Sequence, residues 1–271
     1  MSSSFLVPCL YFGGTVLFYH AVIFLSHAFT PIRLQKQLGM STTATASSRL
    51  ATWHTLHVST VHAVVSVVLA ARALVGIMRE SSAADGEGAP YIARKNYDSQ
   101  AALCVSAAYF LSDTWTLLRT KELRSPIMCV HHLLAALCLL AALCTGLGHL
   151  HVACLLLTEV TTPFINLRWV LDATGHKAGR LYLCNGLLMC FVWFLARVLL
   201  FPAYFCFVFT TRDESMMIFD VFLHDTLVIV VPVLLFAMNL MWFAVIIKGA
   251  RKTLLRSRFV AHPVVDLEKN E

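Results

Sequence analysis

Four ionisable side chains stand inside apolar stretches of this chain: Asp113, His131, His132 and Glu159. An imidazole titrating near pH 6.5 serves as base, acid or nucleophile, and a carboxylate beside it holds the ring and its proton in place. Carrying a charged group to the middle of a bilayer costs roughly 2.5–3.5 kcal/mol on insertion scales, so several at one depth mark a site. His131 and His132 are consecutive and therefore point about 100° apart on a helix. One can face a cavity while the other bonds a neighbouring helix. Asp113 or Glu159 is the carboxylate expected to orient the ring. The competing reading is a polar network that pins helices together, because buried polar groups must find partners.

A helix rises about 1.5 Å per residue, which sets the depths. Asp113 precedes Arg119 by six residues, and His131 and His132 lie four and five residues beyond Ile127. His54, His57 and Asn185 take similar depths, while Glu159, nine residues short of Arg168, lies deeper. All fall within roughly 6–14 Å of one boundary. His54, His57, Asn166 and Asn185 are thus candidates to line a lipid pocket with the first four residues. A second polar set, Arg72, Arg197, His224 and Asp225, falls in the opposite halves of the spans. Its expected role is structural charge pairing, Asp225 with Arg197 or Arg72, the long arginine stems snorkelling toward the interface. His20, His27, His62, His149 and His151 read as interfacial or packing residues. No metal site is expected, since neither an HxxxH nor an HxxHH box is present.

These groups need elements to hold them, and composition names the class. The 271 residues are 58% hydrophobic and 13% charged, with a mean hydropathy of +0.73, too apolar for a soluble domain. Spans of about 20 apolar residues are predicted near Phe5–Phe29, Leu50–Met78, Ser99–Leu118, Ile127–Leu147, His149–Phe164, Leu181–Thr210 and Met217–Ile247. Only Gly146, Leu147 and Gly148 separate the fourth from the fifth, so these two form a tight hairpin or merge, which would leave six spans. Loop charges arbitrate. With seven spans, fourteen Lys and Arg fall on one side, among them Arg33, Lys36, Arg119, Lys121, Arg124, Arg168, Lys177 and the tail cluster from Lys248 to Arg258. Four fall on the other, Arg79, Arg94, Lys95 and Arg212, diluted by acids. The positive side is cytoplasmic, which places the N-terminus in the lumen or outside and the C-terminus in the cytoplasm.

The predicted fold class is therefore all-α, a multi-pass membrane protein of seven transmembrane helices. Met1–Pro8 carries no positive charge, so no cleaved signal peptide is expected. Gly39–Ser48 reads as a polar linker and Ser81–Pro90 as a luminal loop, while Pro202 and Pro232 should kink the last two helices. The nine cysteines fall in or beside spans and read as small packing residues. The net charge of +6 is mostly the orientation signal and the basic tail, so no nucleic-acid partner is expected.

The HH pair, followed by Thr158–Trp169 (TEVTTPFINLRW), resembles the TLC-domain family, which includes the ceramide synthases and the translocating-chain-associating membrane proteins. Asn185–Gly186 with Arg197, and Met238–Gly249 (MNLMWFAVIIKG), resemble its small branch called TLC-domain-containing protein four. The resemblance divides the chain into an N-terminal transmembrane helix and linker (1–44), a six-helix TLC domain (45–252) and a basic cytoplasmic tail (253–271). It implies a protein of lipid homeostasis in the endoplasmic reticulum or another endomembrane, enclosing a membrane lipid or fatty acyl chain. In ceramide synthases the paired histidines belong to the site that moves an acyl chain from acyl-CoA to a sphingoid amine, and His131 and His132 match that pair. The HDxxD stretch of those enzymes reads Thr158, Glu159, Val160, Thr161 and Thr162 here, so Glu159 alone keeps a carboxylate. Two functions are therefore carried forward: an acyl-CoA-dependent acyltransferase of sphingolipid type, and a non-catalytic module that binds lipid or escorts membrane proteins. No cofactor is expected, acyl-CoA would be a substrate, and a homo-oligomer is compatible with either function. A seven-span receptor is disfavoured, because the third span ends TLLR without an acidic–Arg–aromatic triplet and the last lacks NPxxY.

Overall fold

Inside hydrocarbon every backbone amide must be satisfied within its own segment, so apolar runs of this length fold as helices. The computed structural model describes residues 3–30, 44–83, 91–211 and 225–261. Residues 39–43 of the expected linker, 84–90 of the luminal loop, 262–271 of the tail, Arg33, Lys36, Arg212, Met217 and His224 lie outside them. Among the described residues all regular structure is helical. The helices are α1 (Ser3–Phe29), α2 (Ala44–Ala83), α3 (Tyr97–Arg119), α4 (Pro126–Thr145), α5 (His149–Leu156), α6 (Thr162–Ala173), α7 (Arg180–Trp193), α8 (Leu200–Thr210) and α9 (Val231–Ala261). A 3₁₀ turn, Leu157–Thr161, joins α5 to α6, and π turns at Phe194–Leu199 and Thr226–Val230 lead into α8 and α9.

Seven stretches are long and apolar enough to cross a membrane, the fourth ending at Thr145 and the fifth running His149–Ala173. Glycines make the hairpin between them. Gly146 and Gly148 have φ of 72° and 74°, left-handed values that a side chain disfavours, and the amide of Gly148 donates to Ile92 O at 2.6 Å. The sequence ends the fifth span at Phe164. In the structure it continues to Ala173, because Pro163 sits in the first turn of α6, where its missing N–H costs nothing. Arg168, counted from sequence as a loop charge, thereby lies inside the span.

The third span forms the centre, with 67% of its apolar window buried, against 6% for the first. Buried Ala101, Ala102, Ser106, Ala107 and Ala108 let its neighbours approach closely. A reciprocal cap opens α3: Asn96 Oδ1 accepts from the Ser99 amide (2.8 Å) and Ser99 Oγ from the Asn96 amide (3.0 Å). The Asn96 amide group also donates to Ala73 O at 3.0 Å, tying this end to α2. Pro232 offers no N–H to the carbonyls four and five residues back. Tyr204 Oη donates to Val228 O at 2.9 Å and Cys138 Sγ to Leu227 O at 3.3 Å in its place.

Candidate functional site

Successive spans run up and down, so the ends of α3 and α9, the starts of α2, α4 and α7, and the second half of the fifth span meet at one end of the bundle. A cavity of about 460 Å³ opens among them. Asp113, His131, His132, Glu159 and Asn166 all line it.

Asp113 and His132 face each other across α3 and α4, which a short turn joins. His132 Nδ1 lies 3.0 Å from Asp113 Oδ2, an ion-pair distance whose angle falls short of a hydrogen bond. The other carboxylate oxygen accepts from Tyr19 Oη of α1 at 2.9 Å, and the same hydroxyl lies 3.1 Å from Thr116 Oγ1. Phe110 meets the His132 ring edge to face at 5.2 Å.

His131, one step round α4, points elsewhere. Its ring stands edge-on to Trp242 of α9 at 5.2 Å, and Trp242 in turn lies perpendicular to Trp193 at 6.5 Å. Its Nδ1 is buried and has no hydrogen-bond partner among the described residues. Below it a smaller cavity of about 50 Å³ is lined by His131, Glu159 and Asn239. The two imidazoles thus stand in different chemical settings, one against a carboxylate and one against indole.

Glu159 is held by a different partner. Arg197, 5% exposed, donates from Nη2 to Glu159 Oε1 at 3.3 Å, and Thr162 Oγ1 donates to Oε2 at 2.9 Å. Arg197 also donates from Nε to Thr158 O (3.1 Å) and Thr161 Oγ1 (2.8 Å), and from Nη1 to Asn239 Oδ1 (3.0 Å). Its guanidinium lies 4.7 Å over the Trp193 ring, four residues earlier on the same helix. The 3₁₀ turn exposes the Thr158 carbonyl by sending the Thr162 amide to Glu159 O.

The TLC domain model matches residues 52–248. This chain belongs to the TLC-domain family. Among curated relatives it is 29% identical over 164 residues to TLC domain-containing protein 4-A of Xenopus laevis, covering 59% of this chain and 60% of that one. TLC domain-containing protein 4 of Xenopus tropicalis is 32% identical over 111 residues, covering 40% of this chain and 43% of that one. The human TLC domain-containing protein 4 is 25% identical over 209 residues, 76% of each chain. The matched stretches therefore span less than two thirds of the frog relatives' lengths.

Every residue lining the main cavity falls within the matched TLC domain. Tyr19, which reaches Asp113 from outside it, does not. Of the remaining sequence candidates, His54, His57 and Asn185 do not line the cavity. His54 stacks on His27 at 3.5 Å and its Nδ1 lies 2.8 Å from Ser26 Oγ, so it fastens α2 to α1. His57 is exposed and lies against Trp53 at 5.0 Å. Asn185 donates to Phe164 O at 2.9 Å, joining α7 to α6. Asn166 lines the cavity and also donates to Leu56 O (3.3 Å), Ser59 Oγ (2.7 Å) and Thr60 Oγ1 (2.8 Å) of α2.

The charge pairs are corrected. Arg72 pairs with Asp98 at 3.2 Å and Arg197 with Glu159, in place of the expected pair of one or the other with Asp225, which opens the π turn before α9. Arg197 sits seventeen residues into a 31-residue span, two residues past its middle, on the cavity floor. Sequence reasoning also passes over Tyr109, Trp193, Trp242 and Arg168, all of which line the cavity. Aromatic residues at helical spacing look like core, but Trp193 and Arg197 at i and i+4 form a readable cation–π pair. Among the described residues no group of three or more His, Cys, Asp or Glu is placed to hold a metal ion.

Proposed function

We propose that this TLC-domain protein serves lipid homeostasis by enclosing one lipid or acyl chain in the main cavity, its reactive or polar end beside His131 and the Asp113–His132 pair. The observation that carries this reading is the wall itself. Leu56, Phe110, Met128, Ile165, Val245 and Ile246 are apolar, and the ionisable groups gather within them. The volume of about 460 Å³ falls in the usual range of small-molecule sites, roughly 300–1,000 Å³. The basic loops after Arg119, around Lys177 and after Lys248 bracket the same end, which supports a cytoplasmic mouth.

Acyl transfer is the chemistry this arrangement supports best. An imidazole nitrogen attacks the thioester carbonyl of acyl-CoA, the C–S bond breaks and CoA leaves as thiolate. An amine then attacks the acyl carbon, its proton passes to a neighbouring base, the bond from that carbon to the imidazole nitrogen breaks, and the amide leaves with the imidazole restored. Asp113, in contact with His132, is the orienting carboxylate, since both oxygens of Glu159 are engaged by Arg197 and Thr162. Purified protein incubated with acyl-CoA and amine acceptors tests the step. Product that disappears in His131→Ala or His132→Ala upholds it. No product with the wild-type chain removes it.

One observation favours the non-catalytic reading. Thr162 stands where ceramide synthases carry a second acid, and its hydroxyl merely fixes Glu159. A lipid-binding module predicts that lipid copurifies and that its occupancy survives neutral substitution of both histidines, read by mass spectrometry.

A further inference from the structure

The charged groups around the main cavity are matched, with one exception. Asp113 has Tyr19 and His132, while Glu159 and Arg197 have each other with Thr162 and Asn239. Arg168 lines the same cavity, five residues before the end of α6, and among the described residues no carboxylate forms an ion pair with it. Neutral contacts hold it instead. Its guanidinium carbon lies 4.1 Å over the Tyr182 ring, Nη1 donates to Tyr182 O at 3.4 Å and Nη2 reaches Thr253 Oγ1 at 3.5 Å. Gly186 makes room for this pose, since a Cβ there would collide with Nη1.

Both hydrogen bonds are long, and the planar fork keeps N–H donors to spare. A guanidinium so placed is suited to grip two oxygens of a carboxylate or phosphate side by side. Its Cα lies roughly 7.5 Å below the end of its helix, while the guanidinium stands level with Tyr182 and Thr253 near the ends of their spans, at the mouth of the cavity where an incoming anion offsets its charge. The stacking on Tyr182 and the contact with α9 fix the fork before any ligand arrives, which lowers the ordering cost of binding. A cation that only snorkels to the interface needs neither the cradle left by Gly186 nor a place on the cavity wall.

We propose that Arg168 is the receptor for an anionic head group, carboxylate or phosphate, of an amphiphile whose chain fills the main cavity. The proposal rests on the reading that the cavity holds a lipid, and the two can fail separately.

Equilibrium binding to the purified full-length protein decides, with three probes of one chain length: a free fatty acid, a lysophosphatidic acid and a monoacylglycerol. At least one anionic probe should bind tighter than the neutral one by about tenfold or more, about 1.4 kcal/mol. The fatty acid and lysophosphatidic acid arms tell carboxylate from phosphate. Arg168→Gln should erase that advantage while monoacylglycerol affinity changes less than about twofold. Gly186→Ala, which displaces the guanidinium but keeps its charge, should lower the advantage too and serves if Arg168→Gln does not fold. An anionic preference that survives both variants, or neutral and anionic probes binding alike to the wild-type chain, overturns the role of Arg168 and leaves the lipid cavity standing. Failure of all three probes to bind the folded wild-type chain overturns the cavity reading and the proposal with it.

Discussion

Replacing Arg197 by methionine removes four hydrogen bonds at once, to Thr158 O, Thr161 Oγ1, Asn239 Oδ1 and Glu159 Oε1. Hydrogen bonds between membrane helices average about 0.6 kcal/mol each, which puts the four at about 2.4 kcal/mol. Stranding one partner of a buried ion pair costs about 3–5 kcal/mol. Thr162 still donates to Glu159 after the change, so the lower end applies. Arg197→Met should therefore destabilise the fold by about 3 kcal/mol, roughly a hundredfold in the unfolding equilibrium. Glu159→Gln keeps an oxygen for Arg197 but removes its countercharge, and should cost less. Combining the two leaves no buried charge at the floor, so the double variant should be more stable than the summed single effects require, by about 1–3 kcal/mol. Reversible unfolding in mixed micelles under a denaturing detergent titration measures all four corners of the cycle. Additivity within about 0.5 kcal/mol, or a cost below about 1 kcal/mol for Arg197→Met, would refute the argument that this pair builds the floor of the cavity.

Three further perturbations test neighbouring parts of the structure. Tyr19→Phe takes a hydroxyl from Asp113 and should cost about 1.5–3 kcal/mol in the same unfolding assay, as for a hydrogen bond to a charged group; a cost near zero would separate α1 from the site. Asn166→Ala removes three hydrogen bonds onto α2 and should lower stability by about 2 kcal/mol, with amide exchange rising first at the start of α2. Tyr204→Phe strands the Val228 carbonyl opposite Pro232 and should cost about 1–3 kcal/mol, part of which Pro232→Ala should restore by returning an N–H to the helix.

Depth along a helix is legible in a sequence when the boundary is close, and it degrades with every residue counted past a turn. Asp113 and the two histidines lie within six residues of a helix end, so the count placed them on one side with little room for error. Arg197 stands seventeen residues beyond Arg180 in a span 31 residues long, and the π turn that carries it adds a residue to the local winding. It therefore lies within two residues of the middle of its span, where counting from either end does not tell floor from rim. Partner choice was less legible still. Glu159 had imidazole and guanidinium groups on other helices as candidate partners, and nothing in residue type chooses between them. The decision is made by backbone: the 3₁₀ turn at Leu157–Thr161 turns the Thr158 carbonyl out to Arg197 Nε, and once that nitrogen is anchored, Nη2 comes within reach of Glu159. The threonines at 158, 161 and 162 serve this turn through their hydroxyls, bonding Leu155 O, Thr158 O and Glu159. This stretch of small polar residues is thus a structural clamp, and it leaves Asp113 as the cavity-lining carboxylate in contact with an imidazole.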